Sequence, residues 1–232
     1  MIGMVEMLSF EEMYSIKKQI VDKPPEEFLH EISDSIVKEY YENLDIPAQI
    51  PIIDDTFKNS HEVLTVALKN KKIDDTQKKV RVRKLIEHVT ACIYIGCANN
   101  CSPITLKFID KVSKRLYRTG INIRVITAVK KSLGTHQNFD TLKWLECYTR
   151  ILVSYLKLDI ADKLTEKGKS VYFLVKDKLK MGKHPRFYAI AILMFLCKQN
   201  RIKISQKDFS KIFLISETLL KLRVIEIEKI LE

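Results

Sequence analysis

The stretch ACIYIGCANNCSPITLKFIDKV, residues 91–112, decides the fold class. It is an apolar run with three cysteines that stops at Ser102 and Pro103 and restarts as a polar and apolar segment at Thr105. A metal site, a redox site and a helix-turn-helix unit would each explain part of this pattern. The chain repeats the pattern further on, where residues 191–212 read AILMFLCKQNRIKISQKDFSKI.

The two stretches align at an offset of 100 residues without a gap. The identical pairs are Ala91 and Ala191, Cys97 and Cys197, Asn100 and Asn200, Ile104 and Ile204, Lys107 and Lys207, and Lys111 and Lys211. Between these identical pairs, chemically similar residues also align at the offset of 100, and the interruption of the apolar run falls at the same place in both stretches. The sequence therefore predicts an internal duplication.

The predicted fold class is all-α, because the chain has only six glycines and six prolines in 232 residues and its apolar residues recur at helical spacing. Thr105 and Ser205 stand where helix N-caps belong. The predicted helices of the first repeat are 25–44, 54–69, 83–99, 104–117 and 121–132, and those of the second are 140–157, 160–179, 184–200, 205–213 and 216–231.

In each repeat the third predicted helix is apolar nearly all round, as in VTACIYIGC and FYAIAILMFLC. A helix without a polar face must be surrounded by other elements. We therefore expect two tandem five-helix bundles, each built around its third helix. The predicted domains are a first repeat at 25–133 and a second at 139–232, joined near 133–140, with 1–24 as a further helix or a linker.

The net charge of +11 is unevenly distributed. Residues 25–75 hold twelve acidic and five basic residues, whereas 76–138 hold two acidic and thirteen basic ones, and 139–232 hold eleven and nineteen. A locally positive potential attracts phosphates, which favours a polyanionic partner. The alternative is that the surplus lysines only keep the protein in solution.

The five cysteines are odd in number, and four of them lie in apolar runs, which is typical of reduced thiols that act as small core residues. The chain shows no leader peptide, so we expect an intracellular, reducing compartment. The longest apolar run, Phe187 to Cys197, is too short to span a bilayer. We expect no metal, no cofactor and no catalysis, because the five histidines lack spaced partners and no phosphate-binding loop or HExxH pattern occurs.

The quoted stretch resembles the end of the third helix and the start of the fourth in the first cyclin-like repeat of transcription factor IIB. The second copy, GKHPRFYAIAILMFLCKQNRIKISQKDFSKI, is similar to the family's Gly-basic-x-Pro opening and Thr-Gln-Lys restart. The resemblance covers about residues 25–232. The Lys- and Ile-rich composition suggests an AT-rich genome. We therefore expect a homologue encoded by a large cytoplasmic DNA virus that resembles the asfarviruses.

The resemblance implies a core that binds promoter DNA together with TATA-box-binding protein and recruits RNA polymerase. The family's zinc ribbon has no counterpart here, because paired Cys or His residues at zinc-ligand spacing are missing. We expect a monomer without membrane association, in the nucleus, or in the host cytoplasm or virion if the protein is viral.

The resemblance also implies candidate contact residues. In the family, an arginine of the loop before the third helix approaches DNA, which Arg83 and its repeat partner Lys183 match, although Val82 replaces the usual glycine. The expected DNA contacts of these basic loops are Lys78, Lys79, Arg81, Arg83, Lys84 and Lys183. Basic residues of the fifth helix meet TATA-box-binding protein in the family, and the matching residues are Arg124, Lys130 and Lys131.

Residues 205–223 read as helix, tight turn and helix, with Ser216 as the cap of the second helix. Such a unit places its second helix in the major groove. The family's base-reading segment matches residues 217–220, where Leu220 replaces the arginine, so we expect sequence specificity to be lost or changed. The expected DNA contacts here are Ser205, Gln206, Lys207, Glu217, Thr218, Lys221 and Arg223.

Two alternatives remain open. Cyclins share the double bundle, so the chain could be a cyclin-type regulator that binds a kinase. Kinase-activating cyclins present a glutamate on the fifth helix of the first repeat, and residues 121–133 contain no carboxylate, which argues against this reading. The other alternative is an adaptor that binds only proteins, with an incidental basic surface.

Overall fold

The computed structural model describes residues 23–44, 78–132, 140–179 and 184–232. Every regular element in these ranges is helical, which confirms the all-α class. The expected helix at 54–69, most of the expected linker and Lys183 lie outside the described residues. So does nearly all of the segment 1–24.

Nine α-helices lie in the described ranges. The N-terminal helix set comprises α1 (Pro25–Ile36), α2 (Lys78–Asn99), α3 (Leu106–Tyr117) and α4 (Ile123–Ser132). A π-helical turn (Val37–Tyr41) and a 3-10 turn (Glu42–Leu44) extend α1, as the expected helix 25–44 implied. The C-terminal helix set comprises α5 (Thr141–Leu156), α6 (Ala161–Val175) with a 3-10 turn (Lys176–Lys178), α7 (Pro185–Gln199), α8 (Gln206–Ile212) and α9 (Glu217–Leu231).

The helix pairs that pack most extensively lie within one set or the other. In the N-terminal set α2 packs against α1, α3 and α4, and in the C-terminal set α7 packs against α5, α6 and α9. The buried residues of both sets nevertheless form one continuous hydrophobic cluster. The division into two five-helix bundles stays a prediction, because one of the expected helices of the first repeat falls on residues outside the description.

The two central helices are buried as their sequences predict. Ile93 and Ile95 of α2 and Ile190 and Ile192 of α7 are fully inaccessible to solvent. Each such side chain contributes about 1.5–3 kcal/mol through its removal from water. The buried hydroxyl of Thr90 in α2 donates to a backbone carbonyl one turn earlier, at 2.9 Å, so it carries no desolvation penalty.

The helix α2 ends where the sequence predicts, at residue 99, but a left-handed residue closes it before Ser102 and Pro103 are reached. The helix ends at Asn99, and Cys101 adopts a left-handed conformation with a φ of 54°. The amide of Ser102 then donates to the carbonyl of Cys97 at 2.8 Å. This closure satisfies a helix-end carbonyl that has no partner within the helix.

The same closure recurs 100 residues on. Arg201 has a φ of 55°, and the amide of Ile202 donates to the carbonyl of Cys197 at 2.9 Å. The next helix begins in the same way in both sets, since the hydroxyls of Thr105 and Ser205 accept from the amide three residues on, at 3.2 and 3.0 Å. Both predicted N-caps are thereby confirmed.

The predicted basic loop at 78–84 is wrong, because these residues form the first two turns of α2. Lysine and arginine are good helix formers, and no glycine or proline interrupts the chain between residues 78 and 95. The helix predicted to start at 83 therefore starts at Lys78. Arg83 and Lys84 thus lie in the second turn of the helix, where both are exposed.

A buried seam joins the two helix sets, and we define it as Tyr40, Tyr41, Cys101, Cys147 and Tyr148. The hydroxyl of Tyr40 donates to the carbonyl of Ile212, the last residue of α8. Tyr40, Tyr41, Cys101 and Tyr148 are almost completely buried, whereas Cys147 is half-buried. The seam positions α8 and α9 relative to the N-terminal set.

Candidate nucleic-acid interface

The first described basic side chains of α2 are those of Arg83 and Lys84. The Arg83 side chain is 74% exposed, and its Nε lies 3.3 Å from Oε1 of Glu87. The carboxylate of this pair is buried and the guanidinium is exposed, so Arg83 stays accessible to a phosphate while it remains paired with Glu87. Lys84 is exposed and makes no ion pair with another described residue. Of Lys78, Lys79 and Arg81 only the helical backbone is described.

The start of α4 lies beside the start of α2. Glu87 is buried between the two helices, where its Oε2 accepts from Nδ2 of Asn122 at 3.2 Å. The side-chain oxygen of Asn122 in turn accepts from the amide of Arg124 at 3.0 Å, which caps the first turn of α4. Arg124 is exposed. The structure thus brings Arg83, expected to bind DNA, near Arg124, expected to bind TATA-box-binding protein.

The two lysines at the end of α4 differ in environment. Lys131 is exposed, whereas the ammonium of Lys130 lies 5.4 Å from the ring centroid of Tyr94 in α2. Partial burial lowers the pKa of Lys130. The contact with the aromatic ring is a cation–π interaction, which holds Lys130 against the helix surface. Lys131 is therefore the more available of the two for a partner.

The end of α4 acts electrostatically on the start of α7. His184 is the N-cap of α7, and its Nδ1 accepts from the amide of Arg186 at 3.3 Å. Burial, followed by the positive charges of Arg186 and Lys130, lowers the pKa of His184 to about 4. The positive charge of Lys130 therefore acts on the other helix set. Lys183, the expected contact, immediately precedes this point outside the described residues.

Arg186 is a residue that the sequence reasoning missed. Its Nη2 donates to the carbonyl of Phe213 at 2.8 Å, and its guanidinium lies 5.6 Å from the ring of Phe187. Arg186 thus fastens the start of α7 to the turn between α8 and α9. Its position directly after His184 and Pro185 was the only sequence signal, and that signal does not separate a structural arginine from a phosphate ligand.

The residues 205–223 form the predicted helix, turn and helix, with Ser216 capping α9 through the amide of Leu219 at 3.3 Å. Nε2 of Gln206 donates to the carbonyl of Glu217 at 2.8 Å, which ties the first turn of α8 to the first turn of α9. The Ser205 hydroxyl donates to the carboxylate of Asp208 at 2.6 Å while it caps α8. Ser205 and Gln206 therefore make internal contacts.

The exposed face at the start of α9 consists of Glu217, Thr218 and Lys221, and Lys207 of α8 is also exposed. Leu220 is completely buried, so this position belongs to the packing face of the helix. An arginine at this position would have to bury its charge, which is costly. The run of four residues taken from the family pattern therefore does not lie on one face.

Arg223 lies elsewhere than expected. Its side chain is only 13% exposed, it forms an ion pair with Glu226, and its guanidinium lies 5.9 Å from the ring of Tyr188. Arg223 therefore packs between α7 and α9 and is not presented to solvent. Of the basic residues expected to bind DNA, the described side chains that face solvent are Arg83, Lys84, Lys207 and Lys221.

An open apolar groove of about 630 Å³ lies between α3 and the α8–α9 turn, which the sequence did not predict. Phe108, Leu214 and Ile215 are among its lining residues. Lysines stand at its edge, and two of them are engaged with acidic residues: Lys111 with Glu39 and Lys114 with Asp110, both at 2.6 Å. Its apolar floor is suited to a protein segment.

The part of the chain that the structure describes holds no cluster of three or more His, Cys, Asp or Glu side chains arranged to bind a metal ion. None of its helices combines the length and the apolar character needed to cross a membrane.

A comparison with models of known protein families finds no match, and no curated protein is significantly similar to the chain.

Proposed function

We propose that the protein is a transcription factor IIB-like core that binds promoter DNA together with TATA-box-binding protein and engages RNA polymerase. The observation that carries the proposal is the recurrence, 100 residues apart, of one helix end and one N-cap after a helix whose central turns are buried. Tandem repeats of this kind around central apolar helices agree with the resemblance to the cyclin-like repeats of that family.

The distribution of exposed charge supports DNA as the partner. Arg83 and Lys84 on α2 and Arg124 and Lys131 on α4 are exposed on two helices that pack against each other, and no acidic side chain of α4 opposes them. Guanidinium and ammonium groups bind phosphate without reading the base sequence. Arg83 and Lys84 would fix the position of the protein on DNA, Arg124 and Lys131 would meet TATA-box-binding protein beside it, and any base reading would be left to the start of α9.

The test is a fluorescence anisotropy titration of a TATA-containing duplex with the full chain, with and without a TATA-box-binding protein, over a series of salt concentrations. We expect tighter binding in the presence of the TATA-box-binding protein. The logarithm of the affinity should fall with the logarithm of salt concentration by about 0.9 per phosphate contact. Binding that is insensitive to salt, or no ternary complex, would refute the proposal.

A charge-reversal pair locates the surface. In the double variant Arg83→Glu and Lys84→Glu we expect weaker binding to all sequences and a salt slope reduced by about 2, since each lost phosphate contact removes about 1. The matched control is Lys163→Glu with Lys229→Glu, which changes the net charge equally at exposed positions of α6 and α9. Equal effects of the two double variants would show that only net charge matters.

The second candidate is a regulator that binds a protein, and the observation that favours it is the apolar groove between α3 and the α8–α9 turn. A cyclin-type protein would bind a kinase. Calorimetric titration of the chain with a cyclin-dependent kinase catalytic subunit separates the candidates. Salt-insensitive binding to the kinase, without affinity for DNA, would favour this second function.

A further inference from the structure

Two cysteines of the seam are in contact across the two helix sets. Cys101 lies in the left-handed turn after α2, and Cys147 lies in the middle of α5. Their side chains lie close enough to interact with each other. Cys101 is buried and Cys147 is half-buried, so one of the two sulfurs can be approached from solvent.

A neighbouring contact fixes the two backbones at this junction. Nζ of Lys143, one turn before Cys147, donates to the carbonyl of Asn99 at 2.8 Å. On the other side, Tyr148 anchors α5 through its completely buried ring, which lies 4.9 Å from the ring of Phe213. The end of α2 and the first turn of α5 are therefore joined by a contact that does not involve the thiols.

The two thiols differ in reactivity. The interaction with the Cys101 side chain lowers the pKa of Cys147, and the positive charges of Lys143 and Arg150 act in the same direction against burial and Glu146. The same interaction, together with burial, raises the pKa of Cys101. Since the thiolate is the nucleophile, Cys147 is the attacking residue and Cys101 the resolving one.

The other three cysteines lack these features. Cys92, Cys97 and Cys197 are buried within α2 and α7, and burial raises the pKa of each to about 12. At neutral pH such thiols remain protonated and react slowly. The contrast separates the seam pair from cysteines that serve only as small core residues.

We propose that Cys101 and Cys147 are a site of reversible oxidation, at which a disulfide bond links the two helix sets. The oxidant is a small disulfide such as oxidised glutathione. The Cys147 thiolate attacks one of its sulfurs, breaks its S–S bond and releases one glutathione thiolate, which takes up a proton. The Cys101 thiol loses its proton and attacks the sulfur of Cys147, releasing the second glutathione. Two protein thiols are oxidised and one glutathione disulfide is reduced.

The test uses the full chain under native conditions with oxidised glutathione, followed by alkylation and peptide mass spectrometry. We expect one disulfide, between Cys101 and Cys147, and its loss on treatment with dithiothreitol. The closed loop of the chain should raise the Tm of the oxidised protein by about 10 °C. A wild-type protein that stays fully reduced, or that links another pair of cysteines, would overturn the proposal.

Single variants test the order of the two steps. In Cys101→Ser we expect Cys147 to retain one glutathione as a mixed disulfide, because the resolving thiol is missing. In Cys147→Ser we expect no modification at Cys101 and no shift of the Tm with oxidant. Cys197→Ser is the matched control and should crosslink like the wild type. Circular dichroism establishes that each variant is folded, and Cys101→Ala replaces Cys101→Ser should the hydroxyl unfold the chain. Glutathione on Cys101 in the Cys147→Ser variant would contradict the assignment of roles.

Discussion

The seam hydrogen bond from Tyr40 to Ile212 allows a direct test of how the two helix sets depend on each other. Ile212 is the last residue of α8, where the carbonyls have no partner within the helix. Tyr40, from the N-terminal set, supplies a donor to this carbonyl across the seam. In Tyr40→Phe the ring and its contact with Tyr41, at 4.6 Å between centroids, are kept, and only the hydroxyl is lost.

The expected cost follows from burial. Tyr40 is 2% exposed, and removal of its hydroxyl leaves the carbonyl of Ile212 without this donor in the interior. A buried polar group that loses its partner costs about 1–3 kcal/mol. We therefore expect the free energy of unfolding in water, measured by urea denaturation, to fall by about 2 kcal/mol.

The control is Tyr155→Phe, which removes a hydroxyl from a half-buried tyrosine of α5 and should change the free energy of unfolding by less than about 0.5 kcal/mol. A Tyr40→Phe variant as stable as the control would refute the reasoning, since it would mean that water or local rearrangement satisfies the Ile212 carbonyl. A changed denaturant slope would instead show that the two sets no longer unfold together.

Three further predictions concern the C-terminal set. In Gly168→Ala the new Cβ would lie 2.7 Å from Cδ2 of the buried Leu145. This overpacking should cost about 1–3 kcal/mol, which exceeds the gain in helix propensity of about 1 kcal/mol. We therefore expect a lower Tm in thermal denaturation. A raised Tm would contradict this. Because the pKa of His184 is lowered to about 4 from 6.5, the unfolded chain binds a proton first, and stability should fall by about 1–2 kcal/mol as the pH drops from 6.5 to 4. His184→Asn should flatten that dependence in urea titrations at several pH values, and an unchanged profile would exclude His184 as its source. Leu220→Arg should destabilise the chain by about 3 kcal/mol or more, because the side chain at this position is buried in the core. We expect it not to tighten DNA binding. Tighter binding in the titration would show that the position faces DNA.

The sequence predicted most helix bounds because the signals that set them are local. Ser205 and Ser216 each stand three residues before an amide that needs an acceptor, and both act as caps. The apolar runs of α2 and α7 likewise required burial whatever surrounded them. Each of these inferences depends on residues within one or two turns of each other.

Other predictions were wrong where the outcome depends on tertiary packing. The resemblance implies a loop at 78–84, although no residue in this segment breaks a helix. Arg223 lies only two residues from the exposed Lys221, and the helical turn alone sends one side chain inward and the other outward. The contact between Cys101 and Cys147 joins residues far apart in the chain, and no pattern in either stretch indicates it.

The residues that close α2 and α7, Cys101 and Arg201, adopt the same left-handed backbone conformation although their side chains differ. Glycine adopts this conformation freely, so Arg201→Gly should relieve about 1 kcal/mol of strain at a surface turn. At Cys101 the identical replacement would bring the same relief but would delete the sulfur. A chain optimised only for rigidity could take glycine at both turns, whereas one that uses its sulfur chemistry must tolerate a strained residue at the first.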